Sequence, residues 1–246
     1  MAIVECCFLR RKVRMARYLL ILIAAVSCVP VMSQGSANGR NDKWEVSVFA
    51  GSGYRGEHVF ATPFEGVGSR DVTVRFSPGY LVGARISENL GQYFGAELDY
   101  SLGNQPVEFR NLSPTLPLVN IDHRAHNIAY TVLFYGLKRN SRIRPYGAVG
   151  PGITLYETFG ESEDDAEALG LTLTNRWKAA LAVGGGVKYR VTEQVGFRFD
   201  VRDHITGVPD FGLPHSGTLQ EPGFRPDGQL HNWQFSVGFF YSFYGR

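Results

Sequence analysis

An all-β fold, an eight-stranded antiparallel up-and-down transmembrane β-barrel, is predicted by three features of this 246-residue sequence. Eight segments of period-2 alternation follow Trp44, over 44–53, 79–86, 93–101, 126–137, 144–156, 176–189, 195–203 and 231–243. The connectors between them hold 25, 6, 24, 6, 19, 5 and 27 residues, so long and short ends never exchange places. No stretch after residue 33 supplies the roughly 20 apolar residues that a spanning helix needs. An even number of strands, tight turns on one rim and long loops on the other describe a closed barrel with short periplasmic turns and long extracellular loops.

The N-terminus reads as a secretory leader over 1–33, followed by a short segment over 34–43 and the barrel over 44–246. Arg10, Arg11, Lys12, Arg14 and Arg17 precede the apolar run YLLILIAAVSCV, which has signal-core length and is too short to span a bilayer. Val31 and Ser33 suit a cleavage site before Gln34, and Met15 is an alternative start. A lipobox-like AAVSC, with Cys28 as the acylated residue, is the competing reading. The leader also carries the basic excess. The whole chain has net charge +2, but residues 34–246 hold 20 basic and 22 acidic residues, so nucleic acid is not an implied partner. All three cysteines, Cys6, Cys7 and Cys28, lie in the leader, which leaves the mature part no disulfide, thiolate metal site or cysteine nucleophile.

Each segment alternates in its own way. The first opens on Trp44 and puts Glu45 on the polar face. The second sets Tyr80, Val82, Ala84 and Ile86 against Gly79, Leu81, Gly83 and Arg85. The third sets Phe94, Ala96, Leu98 and Tyr100 against Gly95, Glu97, Asp99 and Ser101. The fourth begins at His126, near the long-loop rim and facing lipid. In the fifth, RPYGAVGPGITLYE, the faces read either way, and Pro151 cannot donate to a ladder, so a bulge is expected near Pro151 and Gly152. The sixth places Trp177, Ala179, Leu181, Val183 and Val187 opposite Lys178, Ala180, Ala182, Gly184 and Lys188. The seventh alternates Val195, Phe197, Phe199 and Val201 with Gly196, Arg198, Asp200 and Arg202. The eighth alternates Trp233, Phe235, Val237, Phe239 and Tyr241 with Asn232, Gln234, Ser236 and Gly238.

Alternation alone also fits a soluble barrel with an apolar interior. Charges at similar height on the polar face of several segments, together with the leader, favour apolar-out, polar-in strands. Nine of the twelve prolines fall in the four long loops, where no ladder is broken. Trp44, Tyr93, Tyr146, Tyr189, Tyr241 and Phe243 would gather at the short-turn rim, and Trp177 and Trp233 at the long-loop rim. Such aromatics suit a membrane interface, but they are also simply good strand formers.

The loop rhythm, the strands FGAELDYS and VGFRFDVRDH, and the terminal NWQFSVGFFYSF resemble the OmpA/OmpX-like eight-stranded outer-membrane β-barrel family over residues 42–246. The resemblance implies an outer-membrane location and an insertion signal in the last strand, carried by Ser236, Gly238, Tyr241 and Phe243. It also implies insertion machinery and periplasmic chaperones as partners during assembly. In the family an aromatic often ends the chain, whereas here Tyr244, Gly245 and Arg246 follow Phe243.

Eight strands enclose only enough room for side chains. Glu45, Glu97, Asp99 and Asp200 are therefore expected to pair with Arg85, Lys178, Lys188, Arg198 and Arg202 as a plug, a gated ion path being the alternative. No catalytic, cofactor or metal residues are assigned. A histidine base would need a serine nearby, yet Ile128 stands two residues after His126, and His204 has no serine nearer than Ser216. Glu161, Glu163, Asp164, Asp165 and Glu167 form an acidic loop without calcium-loop spacing, best read as solvated. The loop sequences LSPTLPLV and VPDFGLPHSG suggest exposed apolar tips for a surface ligand. The expected role is non-enzymatic: membrane stabilisation or surface binding, with lipid and lipopolysaccharide as partners. Narrow or lateral solute passage and lipid modification are the alternatives.

Overall fold

The computed structural model describes residues 42–66, 68–112, 118–158, 175–218 and 223–244. The leader and the acidic run 161–167 lie outside them. Eight long strands close a barrel: β1 (Asp42–Tyr54), β4 (Gly79–Asn89), β5 (Phe94–Asn104), β8 (His123–Tyr135), β9 (Ile143–Thr158), β10 (Arg176–Arg190), β11 (Val195–Gly207) and β12 (Gln229–Tyr244). Each pairs antiparallel with its neighbours in chain order, and β12 closes on β1. That seam runs from Trp44 opposite Phe243 to Tyr54 opposite Trp233, so no strand edge is left for lipid to meet. All eight predicted segments coincide with these strands, most of which extend a few residues beyond the predicted bounds.

Parity then decides what faces where. On β11, Phe197, Phe199 and Val201 point outward while Arg198, Asp200 and Arg202 are buried. On β12, Trp233, Phe235, Val237 and Phe239 are exposed while Asn232, Gln234, Ser236 and Phe240 are buried. The outer surface is therefore an apolar belt, and the polar residues are taken into the lumen. β9 resolves in the same way. Arg144, Tyr146, Ala148, Thr154 and Tyr156 point inward; Pro145, Val149, Pro151 and Ile153 point outward.

Two expectations about β9 are corrected. No bulge forms at Pro151: its register with β10 runs unbroken from Tyr156 to Ile143, with Pro151 opposite Leu181. The ladder to β8 keeps one register across a gap between Gly152 and Val149, so the missing proline donor is absorbed without displacing either strand. Tyr146 is also no belt residue. It is buried at 6% exposure inside the barrel, because its parity is that of Arg144 and Thr154.

The larger difference lies in the long loops. Two of them fold into a second sheet of order β2-β3-β6-β7, with β2 (Gly56–Phe64), β3 (Gly68–Phe76), β6 (Val107–Arg110) and β7 (Leu118–Ile121). Gly66 and Gly68, both at positive φ, turn β2 into β3, a conformation that glycine adopts without a Cβ clash. The inner face of this sheet carries Phe60, Phe64, Val72, Val74, Phe76, Val107 and Phe109 into one core with Leu112, Val208, Phe211, Leu213 and Phe224. Phe64 and Gly217 form a parallel bridge, and Gly223 N–H donates to the Leu112 carbonyl at 3.2 Å. Of the stretches expected as exposed apolar tips, Val208, Phe211, Leu213 and Leu112 are instead at most 5% exposed, Leu118 is exposed, and 113–117 lie outside the described residues. The four buried residues form the interior of a cap over the long-loop end.

Candidate functional site

The lumen is stacked in layers. At mid-height, Arg85, Arg198 and Arg202 meet Glu97, Asp99 and Asp200, none more than 3% exposed. Arg198 donates to Glu97 at 2.8 Å and to Asp200 at 2.9 Å. Arg85 bonds Asp99 and reaches Asp200 at 3.0 Å, and Arg202 bonds Glu97. Three cations against three carboxylates give a neutral cluster, the condition under which charges tolerate burial. Tyr146 completes it by donating its hydroxyl to Asp200 while accepting from Arg198 at 2.7 Å. Ser87 Oγ donates to Glu97 at 2.6 Å, and the Arg85 guanidinium stacks 3.8 Å from the Phe49 ring.

Below it, toward the short turns, Glu45 bonds Lys188 and accepts from Asn89 Nδ2 at 3.1 Å. Arg144 donates to Asn89 at 2.8 Å and lies 3.3 Å from the centre of the Tyr135 ring. Above it, the layer is neutral and polar. Thr154 donates to Asn127 at 2.9 Å, Asn127 to Ser101 at 3.2 Å, and Ser101 to Gln234 at 3.3 Å. Higher still, Tyr156 and Thr206 share a hydrogen bond of 2.7 Å beneath the apolar core of the cap.

Eight of the nine predicted lumen charges thus stand inside the barrel with oppositely charged partners. Lys178 does not join them. It is half-buried at the long-loop rim, near Gly207, because its strand leaves the charged layers before reaching it. Tyr135, Tyr146, Arg144 and Asn89 were missed, as was Arg190, which is buried with its guanidinium 3.8 Å from Glu45. Arg144 and Tyr146 share one parity with Thr154 and Tyr156, a signal that the glycines and prolines of β9 obscured.

His126 faces outward near the long-loop end, as its parity requires. Tyr100 Oη lies 3.0 Å from His126 Nδ1, and His126 Nε2 lies 3.3 Å from Glu157. His204 is fully buried within the barrel. Among the described residues no group of histidine, cysteine or carboxylate side chains could hold a metal ion.

A family model described as "Outer membrane protein beta-barrel domain" matches residues 20–243. The chain belongs to that family. It is therefore an outer-membrane barrel, and in barrels of that kind the short turns face the periplasm and the long loops the outside of the cell. Among solved structures it resembles the outer membrane protein OprG of Pseudomonas aeruginosa, at 15% identity and a TM-score of 0.59, over 82% of this chain and 97% of that one. AlkL, solved in lipid bilayers, is similar at 16% identity, with a TM-score of 0.49, over 88% of this chain and 98% of the other. Neisserial surface protein A follows at 12%, with a TM-score of 0.48 over 84% and 100%. At such identities the likeness concerns the fold. No curated protein matches the chain.

Proposed function

We propose that this barrel is a non-enzymatic surface protein. It holds its long loops as a rigid extracellular platform that contacts lipopolysaccharide or a surface ligand, and it stabilises the membrane around it. The observation that carries this reading is the double closure of the lumen. A neutral charge cluster fills the middle, and a core of Phe60, Phe109, Phe211 and Phe224 seals the mouth. A water-filled pore tolerates neither. Loops devoted to solute entry have no need of a packed hydrophobic core, whereas a binding surface gains affinity from preorganisation. Delivery by a leader cleaved after Ser33 and assembly through Ser236, Gly238, Tyr241 and Phe243 belong to the same proposal. Purified barrel in planar bilayers should give no steady conductance. A stable, ion-selective current would overturn the proposal.

A second reading, passage of small hydrophobic solutes, draws on one feature of the wall. Small residues on β1 and β10, Ala50 and Gly185 among them, leave an outward hollow of about 460 Å³ flanked by Phe199 and Phe235. If solutes crossed there, neutralising Arg198 and Asp200 together should alter flux, and unchanged flux would remove this reading. The Tyr100–His126–Glu157 line has the order of a hydroxyl, a base and an orienting carboxylate, but its hydroxyl is a phenol and not the serine alcohol that such a triad activates. Unaltered lipid A in mass spectra after expression is the outcome expected of a non-enzymatic barrel.

A further inference from the structure

Arg55 is a buried cation without a buried counter-charge. It is the single residue between β1 and β2, where the barrel wall hands over to the cap, and it is 3% exposed. Its Nη1 donates to His123 Nε2 at 2.6 Å, which makes that nitrogen an acceptor and the imidazole neutral. Its guanidinium lies 5.5 Å from the Phe76 ring and 5.2 Å from that of Tyr156. Among the described residues no carboxylate pairs with it, whereas Arg85, Arg198 and Arg202 each meet more than one. Aromatic faces and a neutral imidazole only partly offset a full charge removed from water, and buried charges are otherwise paired.

Besides His123 Nδ1, two N–H groups there have no acceptor, Arg55 Nε and Gln105 Nε2. Gln105 occupies the equivalent handover between β5 and β6. Both residues line one cavity of about 10 Å³, the room of a single water-sized sphere, with Asn127, Asn232 and Gln234 among its other walls. The amide oxygens of Asn127 and Gln234 already accept from Thr154 and Ser101. With those two oxygens engaged, the cavity presents an occupant the two free N–H donors and positive charge, beside the Asn232 side chain. A water molecule would satisfy the donors and leave the charge; a monatomic anion, only slightly larger than water, does both once the walls give by a few tenths of an ångström, whereas a carboxylate or phosphate far exceeds the space.

We propose that this cavity binds one monatomic anion, chloride in ordinary media, between Arg55 Nε and Gln105 Nε2. The ion neutralises the guanidinium and ties the two wall-to-cap junctions together, so the cap seats firmly only when the site is filled. This site is independent of the surface-binding role and of the charge cluster below it.

The test uses the full-length barrel in two measurements. Crystals grown in sodium bromide should show an anomalous peak in the cavity beside Arg55 and Gln105. Thermal unfolding should have a midpoint about 3 °C higher in chloride than in gluconate at equal ionic strength. That difference should vanish in Arg55→Met and shrink in Gln105→Leu. If Arg55→Met fails to fold, the bromide map of the unsubstituted protein and Gln105→Leu decide the matter. No peak at an ordered Arg55, or a chloride effect of the same size in the variants, overturns the proposal.

Discussion

Arg198 on β11 donates to Glu97 on β5 at 2.8 Å, across the full width of the lumen and 101 residues away in the chain. Glu97 also bonds Arg202 and accepts from Ser87, so one carboxylate holds three strands together. Replacing it with glutamine keeps its shape but leaves the cluster with three cations and two carboxylates. Glu97→Gln is expected to destabilise the barrel by about 3–5 kcal/mol, the usual cost of removing one member of a buried ionic group. The urea midpoint at which the folded barrel loses its heat-modifiable band, the one whose mobility on an SDS gel changes on boiling, measures this. A midpoint unchanged from that of the parent protein would mean that the cluster is hydrated and adds little.

Tyr146 should matter less. Tyr146→Phe removes a donor to Asp200 and an acceptor for Arg198 without disturbing the charge balance. A loss of about 1–3 kcal/mol is expected, smaller than that for Glu97→Gln on the same assay.

Gly196 faces inward against the ring of Phe240, and Gly83 faces inward against that of Phe49. A Cβ at either position would overlap the ring and a neighbouring carbonyl. Gly196→Val is expected to lower the yield of folded barrel in the outer membrane several-fold, whereas Gly91→Val, at a turn with open space around it, should not. Equal yields would show that the Phe240 ring moves aside freely.

Phe211 is fully buried and meets Phe109, His123 and Tyr156 edge-on at 6.0, 5.8 and 6.3 Å. Phe211→Ala should cost the cap about 3–5 kcal/mol and leave the barrel intact. Protease added to whole cells should then cut the loops while the heat-modifiable band of the barrel survives. Simultaneous loss of both would mean that cap and barrel fold as one unit.

Asp210 gives the cap an acid-sensitive contact. Burial alone would raise its carboxyl, but the Gly212 N–H and the Arg176 guanidinium at 2.7 Å outweigh that and hold it below the usual aspartate range. A carboxyl lowered in the folded state contributes stability above its unfolded pKa, and that contribution is lost as pH falls through the folded value. Protease resistance of the cap should therefore fall on acidification below about pH 4. Asp210→Asn should be less resistant at neutral pH and flatter across that range.

Period-2 alternation, eight times repeated between unequal connectors, was enough to give strand number, order and closure, because a lipid-exposed strand must satisfy its backbone by pairing and must sort its side chains by parity. The same parity put Glu97, Arg198 and Asp200 on one face without revealing which would meet. Where alternation was blurred by Gly147, Gly150, Pro151 and Gly152, the inward Tyr146 was misplaced. The cap was not legible at all. Its strands are short, β6 and β7 holding 4 residues each, and its apolar residues gain burial only when two loops form one sheet against the loop before β12. Arg55 is a plain loop arginine in the sequence, and only the folded cap removes it from water. Local pattern determined what the wall is, since each strand answers to lipid on one side. Tertiary structure decided the plug partners, the cap and the Arg55 cavity, since those depend on residues far apart in the chain arriving at one place.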